Sequence, residues 1–248
     1  FVMNSKRVSM KHKIFIDGEE GTTGLQIRQR LKSRTDLDLI HLPGKKRKDL
    51  NARRAALHQA ELAILCLPDP AAREAVRLAE GSNTKIIDSS TAHRTSKDWV
   101  YGFPEMSAEQ PIRIASAPQV SNPGCYATGV IVLIRPLISA GLIPDDFSLS
   151  INAVSGYSGG GNTLISRMEA SESKDGIKSN YFSYGLNLDH KHVAEMMFHS
   201  GLKARPIFVP SVGRFRQGMI VQIPLQLRAL VKKPKYDAIY EVLKLTYK

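Results

Sequence analysis

The sequence has little cysteine, no long apolar run and comparatively few acidic residues, and each shortage excludes a class of protein. Two cysteines, Cys66 and Cys125, are too few for a disulfide framework or for a zinc site built from cysteines. No apolar run approaches the roughly 20 residues needed to cross a bilayer. Residues 1–13 are polar and basic, unlike a secretory signal peptide. We therefore expect a cytoplasmic protein without a membrane partner.

Acidic residues are outnumbered by basic ones, and the imbalance is local. There are 35 Lys/Arg against 23 Asp/Glu, a formal net charge of +12, and residues 1–54 hold 14 Lys/Arg against 6 Asp/Glu. Such a surplus suits nucleic acids, membranes or small anions. The sequence contains no recognition-helix motif, RNA-binding aromatic signature or zinc knuckle. We predict no nucleic-acid partner, and a basic nucleic-acid-binding protein remains the alternative from another class.

The chain is long enough for two domains, with 248 residues of which 42% are hydrophobic. Up to about residue 120, short apolar strands alternate with helical patterns, which is typical of a Rossmann-like, doubly wound parallel sheet. The predicted strands are Lys13–Asp17, Leu37–Leu42, Leu62–Leu67 and Lys85–Asp88, and the predicted helices are Thr23–Arg34, Asp49–Gln59 and Ala71–Glu80.

From residue 121 the pattern changes to that of a second, α+β domain with an antiparallel or mixed sheet. The predicted strands are Phe147–Val154, Arg205–Val209 and Phe215–Leu227, and the predicted helices are Cys125–Ala140, Val193–Phe198 and Lys235–Leu245. We therefore expect one domain in residues 1–120 and another in residues 121–248.

Three glycines, Gly18, Gly21 and Gly24, lie between the first predicted strand and the first predicted helix. Glycines at this point let the backbone turn tightly and approach a pyrophosphate at the helix N-terminus. NAD enzymes usually end the second strand with an acid that binds the ribose 2′-hydroxyl. Here the basic run Lys45–Lys48 follows instead, which favours a 2′-phosphate and hence NADP(H) over NAD(H). An ordinary βα turn and a solvated charge run are the plainer alternatives.

A cysteine nucleophile is suggested by Cys125, which follows a Pro-Gly turn at the start of an apolar helix. A helix N-terminus stabilises a thiolate and lowers its pKa. A structural role for Cys125 stays open at this point. Cys66, inside an apolar strand, is expected to be buried and inert.

A thiolate mechanism needs an acid or base, for which His190 and His192 are the best candidates. We favour His192 as the acid/base because it begins the predicted helix, with Glu195 on the same helical face, and His190 as substrate-binding or structural. A metal site built from His190, His192 and Glu195 is the weaker alternative, because His-x-His on a helix splays the two rings apart. We therefore predict no metal. A Cys-His hydrolase has no use for the glycine turn.

Seven motifs in order resemble the N-acetyl-γ-glutamyl-phosphate reductases of arginine biosynthesis, in their shorter second form. They run through almost the whole chain: Gly18–Gly24 (GEEGTTG), Cys66–Asp69 (CLPD), Asp88–Arg94 (DSSTAHR), Tyr101–Glu105 (YGFPE), Ser121–Tyr126 (SNPGCY), Ser155–Gly161 (SGYSGGG) and His190–His192 (HKH). The family continues for some tens of residues past Lys248, so the resemblance implies that the second domain lacks its C-terminal part.

The resemblance implies the reduction of N-acetyl-glutamyl 5-phosphate to the 5-semialdehyde by NADPH through a Cys125 thioester. It implies an NADP-binding first domain, a second domain for catalysis and oligomerisation, and a homo-oligomer, a dimer or a tetramer. Cofactor contacts are expected from Gly18, Gly21, Thr22, Thr23, Gly24, Lys45, Lys46, Arg47, Pro68, Ser158 and Gly159, and substrate contacts from Arg94, Asn122, Lys191 and Glu195. The nearest alternative is aspartate-semialdehyde dehydrogenase, which acts on a shorter acyl phosphate.

Overall fold

The structure is a computed structural model that describes residues 11–248. Two compact units are present: the first holds the described residues up to Gly102 with Ile112–Asn122, and the second holds Phe103–Pro111 with Pro123–Lys248. The predicted boundary after residue 120 and the predicted role of each domain stay predictions. The expectation of no signal peptide falls mostly on residues outside the described range. Within residues 11–248, no helix is both long and apolar enough to span a bilayer.

The first unit is built on a six-stranded, fully parallel sheet with strand order β2-β1-β3-β4-β6-β5. Its elements, with the helix at the junction of the units, are β1 (His12–Asp17), α1 (Thr22–Leu31), β2 (Leu37–Ile40), α2 (Leu50–Gln59), β3 (Leu62–Leu65), α3 (Asp69–Leu78), β4 (Lys85–Asp88), β5 (Val100–Tyr101), α4 (Gln110–Ser116) and β6 (Gln119–Ser121). The predicted doubly wound sheet is confirmed.

The core of this unit forms where the apolar faces of the helices meet the sheet. Leu57 of α2 and Ala72 of α3 are fully buried in one cluster with Phe15, Ala63 and Leu65 of the strands. Burial on both faces explains why β3 is a continuous apolar run. The strands end in register, so that the loops carrying the polar motifs emerge along one edge of the sheet.

The second unit contains a four-stranded mixed sheet with strand order β10-β7-β9-β8, in which only β7 and β9 are parallel. Its elements are α5 (Cys125–Ser139), β7 (Ser150–Gly156), α6 (Gly161–Glu169), β8 (Tyr181–Ser183), α7 (His192–Ser200), β9 (Ile207–Gly213), β10 (Met219–Gln222) and α8 (Tyr236–Thr246). The predicted mixed sheet is confirmed, whereas α6 and β8 were not predicted.

Helix α5 is the centre of the second unit and packs against α7. Its inward face is almost entirely buried, including Val130, Ile131 and Ile134. The helix continues through Pro136 to Ser139, and Gly141 follows with a φ of +64°. This packing fixes the first residue of α5, Cys125, relative to the first residue of α7, His192.

The long strand predicted over Phe215–Leu227 is wrong. Only Met219–Gln222 pairs with β7. Gly218 has a φ of +121°, which interrupts the extended conformation, and Pro224 has no N–H for a ladder. The carbonyl groups of Phe215 and Arg216 instead accept hydrogen bonds from the N–H groups of Tyr157 and Ser158. The alternating segment therefore supports the glycine-rich loop rather than extending the sheet.

Candidate active site

The glycine turn after β1 is packed so closely that two of its glycines leave no room for a side chain. Gly18 has a φ of +87°, and a Cβ on it would collide with the Cys66 carbonyl oxygen. A Cβ on Gly24 would collide with the Gly18 carbonyl oxygen. Gly21 is the N-cap of α1, followed by Thr22 and Thr23 as its first two residues. The first turn of α1 is therefore brought up to the end of the sheet, as a pyrophosphate site requires.

A cavity of about 320 Å³ adjoins this turn, within the first unit. Gly18 and Gly21 line it together with Arg47 and Lys48 of the short helix Gly44–Lys48. Arg47 also contacts Glu20 and donates a hydrogen bond from Nε to the Gly44 carbonyl at 2.9 Å. Of the basic run, the structure thus brings Arg47 and Lys48 to the cavity.

Six other residues of the first unit expected at the cofactor are not among those lining the cavity: Thr22, Thr23, Gly24, Lys45, Lys46 and Pro68. Lys45 and Lys46 are exposed on the same short helix. Pro68 is the exposed N-cap of α3, next to Leu67, which does line the cavity.

The end of β2 holds a carboxylate that sequence reasoning missed. Glu19 is 7% exposed and pairs with His41 Nδ1 at 2.5 Å and with Arg28 Nη1 at 3.5 Å. No acid follows β2 directly, yet this carboxylate reaches the strand end from the glycine turn. Because Glu19 is already paired with His41 and Arg28, it differs from the acid of NAD enzymes, which is available to bind the ribose hydroxyls.

Arg53 is a second residue that the sequence did not single out. It lies on α2, lines the cavity, and donates from Nη2 to Asp17 at 2.9 Å and from Nη1 to Glu74 at 2.6 Å. Burial raises the pKa of Asp17, against the opposing effect of Arg53. In the sequence Arg53 is one charge among several on a helix, so only its packing distinguishes it.

Two residues expected to bind substrate, Arg94 and Asn122, are brought together in the first unit. Arg94 is 8% exposed and donates from Nε to the Asn122 carbonyl and from Nη2 to the Ser89 carbonyl, each at 2.9 Å. The loop that carries Arg94 is held by fully buried Asp88, which bonds the His93 ring at 2.6 Å. This network joins the loops after β4 and β6.

Cys125 is exposed at the first position of α5, with Gly124 as the N-cap. Glu195 Oε1 accepts a hydrogen bond from the Gly124 N–H at 2.6 Å. Glu195 is only 2% exposed and holds the cysteine turn. The substrate contact expected from the sequence stays a prediction.

The rings of His190 and His192 both pack against the ring of Tyr126, the residue after Cys125. The centroids of His190 and His192 lie 6.1 and 5.8 Å from that of Tyr126 and 4.8 Å from each other. The expectation that these rings splay apart is wrong, because His190 precedes α7 and the chain turns between them. Within the described residues, no group of three or more His, Cys, Asp or Glu side chains is arranged to hold a metal ion.

Hydrogen bonding and burial distinguish the two histidines. The backbone N–H of His192 donates to His190 Nδ1 at 3.1 Å, which leaves the hydrogen of neutral His190 on Nε2. Burial, followed by the charge of Lys191, lowers the pKa of His190. His190 is half-buried, whereas His192 is 6% exposed. Lys191 is exposed between them as the N-cap of α7.

A cavity of about 560 Å³ opens beside Cys125, within the second unit. Its wall is mostly apolar, with Gly159 from the glycine-rich loop and Arg167 as its one charged lining residue. Ser158, also expected at the cofactor, is half-buried and is not among the lining residues. Tyr184, which the sequence did not single out, lines the cavity, and burial raises its pKa well above the usual range. The arrangement combines an accessible thiol with a pocket for a small acyl group.

Comparison with known protein families agrees with this geometry in both units. Residues 13–113 match the semialdehyde dehydrogenase NAD binding domain, and residues 125–248 match the semialdehyde dehydrogenase dimerisation domain. A protein of Brucella ovis named N-acetyl-gamma-glutamyl-phosphate reductase is 56% identical over 94% of this chain and 76% of its own length. The chain belongs to the N-acetyl-γ-glutamyl-phosphate reductase family. A relative of the same name from Brucella canis has the same identity and coverage.

Solved structures show the same fold at low sequence identity. An aspartate semialdehyde dehydrogenase from Francisella tularensis has a TM-score of 0.64 at 12% identity, covering 96% of this chain and 81% of its own. A probable aspartate-semialdehyde dehydrogenase from Pseudomonas aeruginosa has a TM-score of 0.64 at 16% identity, covering 96% and 80%. The reductase family is therefore favoured over the aspartate enzyme, which shares the fold.

The two cysteines should differ in reactivity. Burial raises the pKa of Cys66 to about 11, so roughly one Cys66 in a thousand is a thiolate at pH 8. Cys125 is exposed at a helix N-terminus. Iodoacetamide at pH 8 should label Cys125 at least about tenfold faster than Cys66, as measured by mass spectrometry of the two peptides. Equal rates at pH 8 would contradict the assignment.

Proposed function

We propose that this chain reduces N-acetyl-glutamyl 5-phosphate to the 5-semialdehyde, with release of phosphate, using NADP(H) as cofactor. The observation that carries the proposal is the exposed Cys125 at the start of α5, beside a pocket of about 560 Å³. The relatives named as this reductase favour the acetylated substrate over an aspartyl phosphate.

The residues fit a dinucleotide cofactor, because Gly18 and Gly24 leave no room for a Cβ in the turn that brings the start of α1 to the end of the sheet. Gly18 and Gly21 would hold the pyrophosphate, and Arg47 and Lys48 the 2′-phosphate. Thr22, Thr23 and Gly24 belong to the same turn and first helical turn. When bound, NADPH supplies the hydride that reduces the acyl carbon.

Cys125 acts as the nucleophile. Its thiolate attacks the acyl carbonyl, an S–C bond forms, and the C–O bond to phosphate breaks with the electron pair leaving on phosphate. Reduction of the thioester leaves an oxyanion, whose electron pair re-forms the C=O bond as the C–S bond breaks with its pair on sulfur, and the aldehyde is released. Arg94 is the proposed cationic partner of the departing phosphate, supported by the loops after β4 and β6 that hold it next to Asn122.

We propose that His190, rather than the sequence-favoured His192, acts on this oxygen, as a hydrogen-bond donor to the oxyanion. His190 is the more accessible of the two, and the bond from the His192 N–H to Nδ1 leaves its hydrogen on Nε2. Its lowered pKa favours the neutral form, which donates from Nε2. His192 would then orient His190 through its backbone.

We also propose a homo-oligomer, a dimer or a tetramer, assembled through the second unit. Support comes from the family description of residues 125–248 as a dimerisation domain and from exposed apolar side chains on β10, Met219 and Ile220. The cytoplasmic location expected from the low cysteine content belongs to the same proposal.

The substrate assignment is tested by NADPH oxidation with three acyl phosphates: N-acetyl-glutamyl, glutamyl and aspartyl. The acetylated substrate should have the highest kcat/KM. Cys125→Ser should lower the rate to below about one thousandth of the parent, with NADPH affinity unchanged. Cys66→Ser is the matched control and should keep most of the activity. A preference for aspartyl phosphate, or an active Cys125→Ser variant, would overturn the proposal.

The histidine assignment is tested by the pH dependence of the oxidation direction, with semialdehyde, phosphate and NADP+. The donor must be neutral His190, because a proton on Nδ1 would break the bond from the His192 N–H. Its pKa is lowered from the ordinary value of 6.5, so kcat/KM should rise along a limb centred below pH 6.5. His190→Asn should remove this limb and lower kcat by roughly 10²–10³-fold. His192→Asn should keep the limb. The opposite result would return the role to His192.

The cofactor assignment is tested by titration with NADPH and NADH. Arg47→Ala/Lys48→Ala should weaken NADPH binding by about 10- to 100-fold through loss of charge-assisted hydrogen bonds, with NADH binding nearly unchanged. The comparison variant is Lys45→Ala/Lys46→Ala, which removes two equal charges from the exposed face of the same short helix. An equal loss in both variants would mean that general charge, and not a 2′-phosphate site, binds the cofactor.

A further inference from the structure

Glu195 is a buried carboxylate whose partner lies at the cysteine turn. It is 2% exposed, and its Oε1 accepts the Gly124 N–H at 2.6 Å across 71 residues of sequence. Burying a charged group is unfavourable unless hydrogen bonds compensate. An apolar side chain in the same space would carry no such desolvation cost. We therefore look for the role of the carboxylate in its hydrogen bond to Gly124.

The hydrogen bond between Glu195 and Gly124 lies immediately before the proposed nucleophile in the chain. Gly124 is the N-cap of α5, and the next residue is Cys125. Gly124 has no side chain to cap α5, and the bond from its N–H to Glu195 holds the backbone that enters the helix. A negative charge near a helix N-terminus is also favourable.

The other end of the contact lies on the histidine helix. Glu195 is in the first turn of α7, one turn after His192, whose N–H holds His190 Nδ1 at 3.1 Å. Helix α7 therefore carries both the carboxylate that accepts a hydrogen bond from the cysteine turn and the backbone N–H that orients His190.

We propose that Glu195 is a positioning residue that sets the separation between Cys125 and His190 by joining the cysteine turn to α7. This inference rests on the proposed function for its kinetic consequences. Displacements of about 1 Å can lower rates by about 10²-fold. Apolar packing between α5 and α7 is non-directional, and the short hydrogen bond adds a directional constraint to it.

The test compares Glu195→Gln with Glu195→Ala. The amide oxygen of glutamine can still accept the Gly124 N–H, so Glu195→Gln should keep kcat within about threefold. Glu195→Ala should lower kcat by about 10- to 100-fold, with KM within about threefold and NADPH affinity unchanged. Glu241→Ala, which removes an exposed acid of α8 paired with Lys244, is the control and should match the parent.

A double-variant cycle separates positioning from loss of stability. In the His190→Asn background, Glu195→Ala should lower kcat by less than about threefold, because the histidine donor to be positioned is gone. Independent, multiplicative losses would overturn the proposal. A raised KM with unchanged kcat would do so as well, since it would return Glu195 to substrate binding. Equal losses in Glu195→Gln and Glu195→Ala would show that the charge matters and the hydrogen bond does not.

A third measurement does not depend on activity. Amide hydrogen exchange at residues 124–128 should accelerate at least about tenfold in Glu195→Ala and stay near the parent rate in Glu195→Gln. Unchanged exchange in Glu195→Ala would overturn the proposal even if the enzyme acts on another acyl phosphate. Failure of the proposed function would appear separately, as an inactive parent with exchange still dependent on Glu195.

Discussion

Backbone N–H groups at helix starts are the constraint on which both candidate sites depend. The first turn of a helix has N–H groups without intrahelical partners. The N-cap residues of α1, α5 and α7 make no side-chain capping bond, whereas Asp49 caps α2 by accepting from Ala52. At α5 and α7 a side chain from outside the helix accepts such a bond: Glu195 from the Gly124 N–H, and His190 from the His192 N–H.

Burial gives chemically similar side chains different roles. Cys66 and Cys125 are both cysteines, yet burial raises the pKa of Cys66 to about 11 while Cys125 lies exposed at a helix start. Likewise His190 is half-buried with its Nδ1 occupied, and His192 is almost fully enclosed. The chemistry of each group follows from how much solvent and how many polar neighbours it meets.

In each unit, a buried carboxylate holds the loop that carries a proposed site residue. In the first unit, Asp88 holds the His93 ring, which stacks on Trp99 at 4.1 Å, and so supports the loop that carries Arg94. In the second unit, Glu195 holds the turn before Cys125. In both cases a buried carboxylate bonded to a fixed donor orients a loop residue that carries the proposed chemistry.

The sequence by itself determined strands β1 to β4 of the first unit, the glycine turn, the start of α5 at Cys125 and the family, because these depend on local periodicity and on motifs of contiguous residues. It did not determine the length of β10, because the alternating pattern of Phe215–Leu227 predicts a longer strand than Gly218 and Pro224 allow. Only the tertiary structure decided that Arg53 lines the cavity, that Lys45 and Lys46 do not, and that Glu195 binds Gly124. Such contacts join residues far apart in the chain, and their energies depend on burial and distance, which residue spacing does not encode.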